Sequence, residues 1–274
     1  MLHSLLFGVH RGVRLWLAIF MIGSLAFTTA CNDDDDNNTP PATPVTTFGD
    51  AVTVGNGTAR SFVTVDANGN PTEIGMRLTE AALTGLPATN TNPPAWYMLN
   101  LPANSTAKLP FNHLSLDWNP NGHEPEAVYG KPHFDAHFYM ITMAERAQIG
   151  LDDAKGDVLP AANLLPAGYQ TVPNVAPFRT IPMMGRHWVD PSSHEYHGQD
   201  FTQTFIYGSY NGKIIFLEPM ITKAYLAEKK TETFTLPRPD VVEKTGVYYP
   251  TKYTIGYDAA TKEYVIVLHN MELR

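Results

Sequence analysis

The sequence predicts a mainly β protein: an antiparallel sandwich or squat barrel with a few short helices and long loops. Three observations lead there. Short runs of alternating or β-branched residues recur along the chain, giving roughly eight to eleven candidate strands. Turn-forming residues such as Asn211-Gly212 separate them. Long amphipathic helices alternating with strands, the mark of a parallel α/β sheet, are missing.

Residues 51–54 and 59–65 flank Gly55-Asn56-Gly57 and read as a hairpin; a second turn at 66–71 leads to a strand at 73–78. Residues 79–83 make a helical turn, stopped by Gly85 and Pro87. A short apolar strand follows at 96–101, then one at 111–118 with Leu114, Leu116 and Trp118 on one face and His113, Ser115 and Asp117 on the other. The loop 119–132 enters a strand at 133–140. Thr142 and Glu145 form a capping box for a short helix. Residues 151–182 lack a period and read as a long irregular loop, the kind that often covers a site; 183–200 also read as irregular. The strands 205–210 and 213–217 flank Asn211-Gly212, with Tyr207 expected opposite Phe216 and Phe205 opposite Glu218. Glu218 is then expected on an apolar face with Phe205, Tyr207, Ile214 and Phe216, where a carboxylate needs a partner or a proton. A short helix at 223–229, an edge strand at 231–236 and a hairpin of 253–257 with 263–269 close the chain.

The N-terminus has a different character. Arg11 and Arg14 precede an apolar run at 15–27, and small residues lead to Cys31, the only cysteine. That run falls short of the roughly 20 residues a membrane span needs and fits an export signal. It resembles a bacterial lipoprotein signal, in which the cysteine becomes the lipid-bearing N-terminus, although Thr28 stands where that family usually has Leu. The resemblance implies an exported lipoprotein anchored to the membrane through a lipid on Cys31, at the outer membrane or cell surface. Residues 1–30 are thus expected as signal, 31–47 as a disordered acidic and Pro-rich tether, and 48–274 as a single β-rich domain. No disulfide can form within one mature chain. Cleavage would take the charge from −8 to −10, four of it in Asp33 to Asp36. No basic stripe with interleaved aromatics is present, so nucleic acid is not an expected partner.

The chemistry concentrates at 123–140, which holds three of the ten histidines. Alternation puts Phe134, Ala136, Phe138 and Met140 on a core face. The other face carries His133, Asp135, His137 and Tyr139, groups that titrate or bind metals. If this strand pairs with 111–118, the two polar rows lie side by side, and the intervening loop hangs His123 and Glu124 over their end. His133 and His137 are about 13 Å apart on a regular strand, too far to share an ion with bonds of about 2.0–2.1 Å. Asp135 with either of them is closer. His113, His123, Glu124 and Glu218 are candidate further ligands, with His187, Tyr129 and Tyr139 in support. Nitrogen and oxygen donors without thiolate suit Zn, Mn or Fe(II). The same groups could instead form a hydrogen-bonded structural network, or a metal-free acid–base pair. No nucleophile elbow, phosphate loop or dinucleotide fingerprint occurs.

Three segments together resemble a family of uncharacterised exported bacterial proteins: Gly122-His-Glu-Pro with Pro132-His-Phe-Asp-Ala-His-Phe-Tyr; Met184-Gly-Arg-His-Trp; and Phe201 to Tyr210 with Gly212 to Met220. The resemblance implies a β-rich extracytoplasmic domain and homo-oligomers, and carries no agreed activity. The expectation is therefore an extracytoplasmic lipoprotein with a divalent-metal site, hydrolytic or lyase-like on a small polar substrate. The alternative is a non-enzymatic oligomeric binding or envelope-stress protein with structural histidines.

Overall fold

The computed structural model describes residues 43–91, 94–103, 108–171 and 180–274. The chain divides into Met1–Pro40 and Pro41–Arg274. The expected signal at 1–30, Cys31 and the tether up to residue 42 lie outside the described residues.

In chain order the strands are β1 (Val45–Phe48), β2 (Val52–Val54), β3 (Gly57–Val65), β4 (Pro71–Thr79), β5 (Trp96–Asn100), β6 (His113–Asn119), β7 (His133–Tyr139), β8 (Gln170–Thr171), β9 (Arg186–Val189), β10 (Gln203–Tyr210), β11 (Lys213–Thr222), β12 (Glu232–Thr235), β13 (Tyr248–Tyr249), β14 (Lys252–Asp258), β15 (Glu263–His269) and β16 (Glu272–Leu273). Among the described residues three short α-helices join them: α1 (Glu126–Tyr129), α2 (Met143–Arg146) and α3 (Lys223–Ala227). One sheet runs β1-β3-β4-β15-β14-β12 with β2 beside β3; the other runs β5-β6-β7-β11-β10-β9-β8; β13 and β16 form a small ribbon. The pairings are antiparallel, and the result is a sandwich rather than a closed barrel.

The sandwich core follows from alternation. Ile74, Met76 and Leu78 of β4 and Ile266 and Leu268 of β15 meet Leu114 and Leu116 of β6, Phe134 and Phe138 of β7, and Leu217 and Ile221 of β11, all buried in one cluster. The opposite face of the second sheet is buried too, which the apolar core alone does not explain. It carries His113, Ser115 and Asp117 of β6, His133, Asp135 and His137 of β7, and Glu218 of β11. Two smaller apolar clusters, around Tyr129 with Phe201 and around Tyr139 with Phe216, lie beside these groups.

β6 and β7 pair as the polar rows require, with Ser115 opposite His137 and Asp117 opposite Asp135. The hairpin turns at Asn211-Gly212, both with positive φ, as a tight primed turn demands. Thr142 and Glu145 close the capping box of α2.

Three features depart from expectation. Val45 to Thr47, placed in the tether, pair with Val65 to Val63, so the sheet begins earlier than residue 48. Residues 186–189 form β9 within a stretch expected to be irregular. Most consequential, the β10–β11 register shifts between Gly208 and Ser209, so Tyr207 faces Leu217 and Ile206 faces Glu218. Such a bulge inverts which side chains share a face beyond it. Glu218 therefore leaves the core face of Phe205, Tyr207 and Ile214 and joins the histidine face with Phe216 and Met220. A Cβ on Gly208 would fall 2.0 Å from the Phe216 ring, so only glycine lets that ring lie against the strand here.

Candidate metal centre

The outer face of the second sheet gathers its ionisable groups into two sets of three. In the first, His123, His133 and Asp135 present one ligand atom each within 4.8 Å of one another; in the second, His137, His187 and Glu218 do the same. Each set holds two imidazoles and one carboxylate.

In the first set, β7 supplies His133 and Asp135, and the loop before α1 supplies His123. His133 Nε2 lies 3.1 Å from Asp135 Oδ1, and His123 Nε2 lies 3.5 Å from Asp135 Oδ2. Adjacent ligands on a tetrahedral ion with bonds near 2.1 Å would be about 3.4 Å apart. The far side of each ring is fixed: His133 Nδ1 donates to the Lys131 carbonyl at 2.6 Å, and His123 Nδ1 to the Glu124 carbonyl at 2.8 Å. A carbonyl only accepts, so Nδ1 carries the proton, and in a neutral ring Nε2 points a lone pair at the carboxylate. Two acceptors then face one acceptor, an arrangement that calls for a cation between them. The Asn119 amide donates to Asp135 Oδ2 at 2.7 Å and orients it. His133 Nε2 and Asp135 Oδ1 are buried and make no aligned hydrogen bond among the described residues.

With no cation between them, the same groups behave as an ion pair, the proton favouring the imidazole side. Burial acts to raise Asp135, but the imidazoles of His133 and His123 outweigh it and hold the carboxyl well below its usual range. Burial acts to lower His123, yet the Asp135 charge beside it leaves it raised.

In the second set, His137 Nε2 lies 3.3 Å and His187 Nε2 3.8 Å from Glu218 Oε2. Behind His137, its Nδ1 lies 3.4 Å from Asp117 Oδ2. The Ser115 hydroxyl donates to the other oxygen of Asp117. Arg146, fully buried, sets a guanidinium nitrogen 3.9 Å from Asp117 and stacks 4.0 Å over the Tyr139 ring. Burial pushes Asp117 up to about 7 and Glu218 well above the carboxylate range, and pulls His137 well below and His187 down to about 4.

One cavity of about 440 Å³ touches both sets, through His123 and Asp135 of the first and His187 of the second. Much of its wall is apolar: Trp96, Trp118, Met184, Val189, Ile206 and Met220.

Not every expected residue reaches these centres. Glu124 is exposed, and its carboxylate turns away to accept from the Glu126 amide at 3.1 Å at the start of α1. His113 lies opposite Tyr139 in the register, beyond reach of either set, with its ring stacked on that tyrosine at 4.9 Å. Burial lowers it to about 4. Tyr139 in turn stacks on His137 at 5.2 Å, and its hydroxyl donates to the Met183 carbonyl. Tyr129 walls the cavity near His123 and shares a hydrogen bond with Tyr196. His187, expected only in support, is a full member of the second set. Asp117 was visible as one of the polar row on β6; Asn119, the last residue of β6, and Arg146, the last of α2, carried no sequence signal, since neither residue type at an element end marks a site by itself.

A family model described as "Hypothetical protein TTHB210" matches residues 66–118. The match spans β4 to nearly the end of β6, including His113, Ser115 and Asp117, and stops before every member of the two sets of three. Over those residues the chain is similar to a family without an assigned activity. No curated protein and no solved structure matches.

Proposed function

We propose that this protein binds a divalent metal ion at His123, His133 and Asp135 and uses it in hydrolytic or lyase-like chemistry on a small molecule. One observation carries the reading: both imidazoles are anchored through Nδ1 to backbone carbonyls while their Nε2 atoms converge on one carboxylate. Metal-ligating histidines are held in this way from behind. A metal-free pairing of His123 with Asp135 would still leave His133 Nε2 and Asp135 Oδ1, buried and 3.1 Å apart, without an aligned hydrogen bond among the described residues. Three protein ligands leave a coordination position open toward the cavity, which is the pattern of catalytic rather than structural ions. An ion in this place would polarise a bound oxygen or lower the pKa of a bound water toward neutrality.

The cavity wall refines the substrate. With Trp96, Trp118, Met184 and Ile206 around it, the site suits a ligand with an apolar body and one oxygen donor, rather than the small polar molecule expected from the sequence alone. Zn, Mn and Fe(II) all fit the donor set. The export signal and Cys31 would place this chemistry in the cell envelope on a lipid anchor, in a homo-oligomer; mass spectrometry of membrane-extracted protein tests the lipid, and light scattering the assembly.

The test is metal analysis of untagged protein, before and after reloading with Zn, Mn or Fe(II), alongside His133→Ala. Bound metal in the wild type, lost in the variant, together with chelator-sensitive turnover of model esters or lactones, supports the reading. Wild-type protein that takes up no transition metal on reloading overturns it. That result would favour the second reading, an oligomeric binding or envelope-stress protein with structural histidines, for which the stacked series His113, Tyr139 and His137 is the supporting observation.

A further inference from the structure

We propose that His137, His187 and Glu218 hold a second divalent ion, distinct from the one at His123, His133 and Asp135. The two sets share no ligand. Asp135 and His137 are next neighbours on one face of β7, where a regular strand sets backbone positions about 6.6 Å apart, so each set draws on its own β7 position.

The second set is built as a site. Its donors come from β7, β9 and β11, three strands held in register by β11 and β10. His137 Nε2 and Glu218 Oε2 are buried and have no aligned hydrogen bond among the described residues, although each points at the other. Leaving two such atoms unsatisfied is costly, and an ion between them satisfies both. Asp117 stands behind His137 Nδ1, giving the carboxylate–imidazole–ion order that fixes ring and tautomer in metal sites. Rings close the remaining sides, with Phe216 at 4.7 Å from His137 and 5.4 Å from His187. Donors of nitrogen and oxygen again select Zn, Mn or Fe(II).

This ion would have a different role from the first. It ties β9 to β7 and β11 in the sheet centre. Those ligands are far apart in sequence, so the ion acts as a cross-link that fixes His187 in the cavity wall. The inference rests on residues other than those of the first centre and can fail separately.

Untagged full-length protein is stripped with chelator, reloaded with Zn²⁺ or Mn²⁺ and assayed for ions per chain. Wild type is expected to hold two, His187→Ala one, and His123→Ala one. Resistance of the wild type to proteolysis at β9 (186–189) should fall when the ion at His187 is lost and stay when only the ion at His123 is lost. If His187→Ala fails to fold by circular dichroism, Glu218→Gln, nearly the same in shape, replaces it with the same expected count. A wild type with one ion that His123→Ala loses and His187→Ala keeps overturns the inference, as does the loss of every ion in both variants. One ion lost by His187→Ala and kept by His123→Ala supports this centre and overturns the first. A wild type without ions overturns both and leaves a hydrogen-bonded chain of Glu218, His137 and Asp117.

Discussion

Asp117 gives a pH dependence that can be worked out in advance. In the metal-free protein its carboxyl is raised from 3.8 to about 7, with burial as the main cause. A raised acid keeps its proton in the folded state while the unfolded chain releases it. Its contribution is therefore fully present below pH about 4 and is lost as pH rises through about 7. The shift of about 3 units, at about 1.4 kcal/mol each, sets the size on the order of 4 kcal/mol. Asp117→Asn removes the titration but keeps an oxygen to accept from Ser115. The assay is urea denaturation of chelator-stripped wild type and variant at steps from pH 4 to 8. The wild type should lose stability relative to the variant across that window, by several kcal/mol in total. Arg146, which acts to lower Asp117, sets a limit on the shift: Arg146→Met should move the midpoint higher. Parallel stability curves for wild type and Asp117→Asn would refute the reasoning, because they would mean that Asp117 is not buried away from water beside His137.

Three further outcomes follow from the geometry. Asn119→Ala removes the amide that holds Asp135 Oδ2 and should weaken metal binding at the first centre about 10–100-fold by competition titration, as loss of an outer partner does elsewhere. Gly208→Ala puts a methyl 2.0 Å from the Phe216 ring; by denaturation it should cost about 1–3 kcal/mol, and reloading should show the ion at His187 weakened before that at His123. Arg146→Ala removes the guanidinium beside Asp117 and empties the space over Tyr139, and should destabilise the protein by about 3–5 kcal/mol in the same assay.

Much of this was legible in the chain, and for physical reasons. The alternation of 133–140 left one choice for its core face, so His133, Asp135 and His137 had to share the other. The polar row of 113–117 could pair with it in one way that kept both apolar rows inward. Asn211-Gly212 fixed a hairpin because two consecutive residues with positive φ leave few other turns open. Glu218 was found for a reason that the register then changed. The bulge leaves Ile215 of β11 unpaired opposite the Gly208–Ser209 step, and nothing in the local pattern announces it. β9 escaped notice because it has four residues and lies among prolines and glycines. Its strand character comes from pairing with β10, not from its own sequence. With β9 unread, the place of His187 could not be known, and seven candidate ligands looked like one site where the structure gathers six residues into two sets of three. Glu124 misled because chain proximity to His123 says nothing of which way a side chain turns at a helix start.

The most direct test is anomalous X-ray diffraction from crystals of untagged protein soaked in Zn²⁺ or Mn²⁺, collected on both sides of the metal edge. The account predicts a metal peak about 2.0–2.2 Å from His123 Nε2, His133 Nε2 and Asp135, with the three side chains otherwise unmoved. Side chains in the same positions with no peak among them, at metal concentrations that load surface sites, would contradict it.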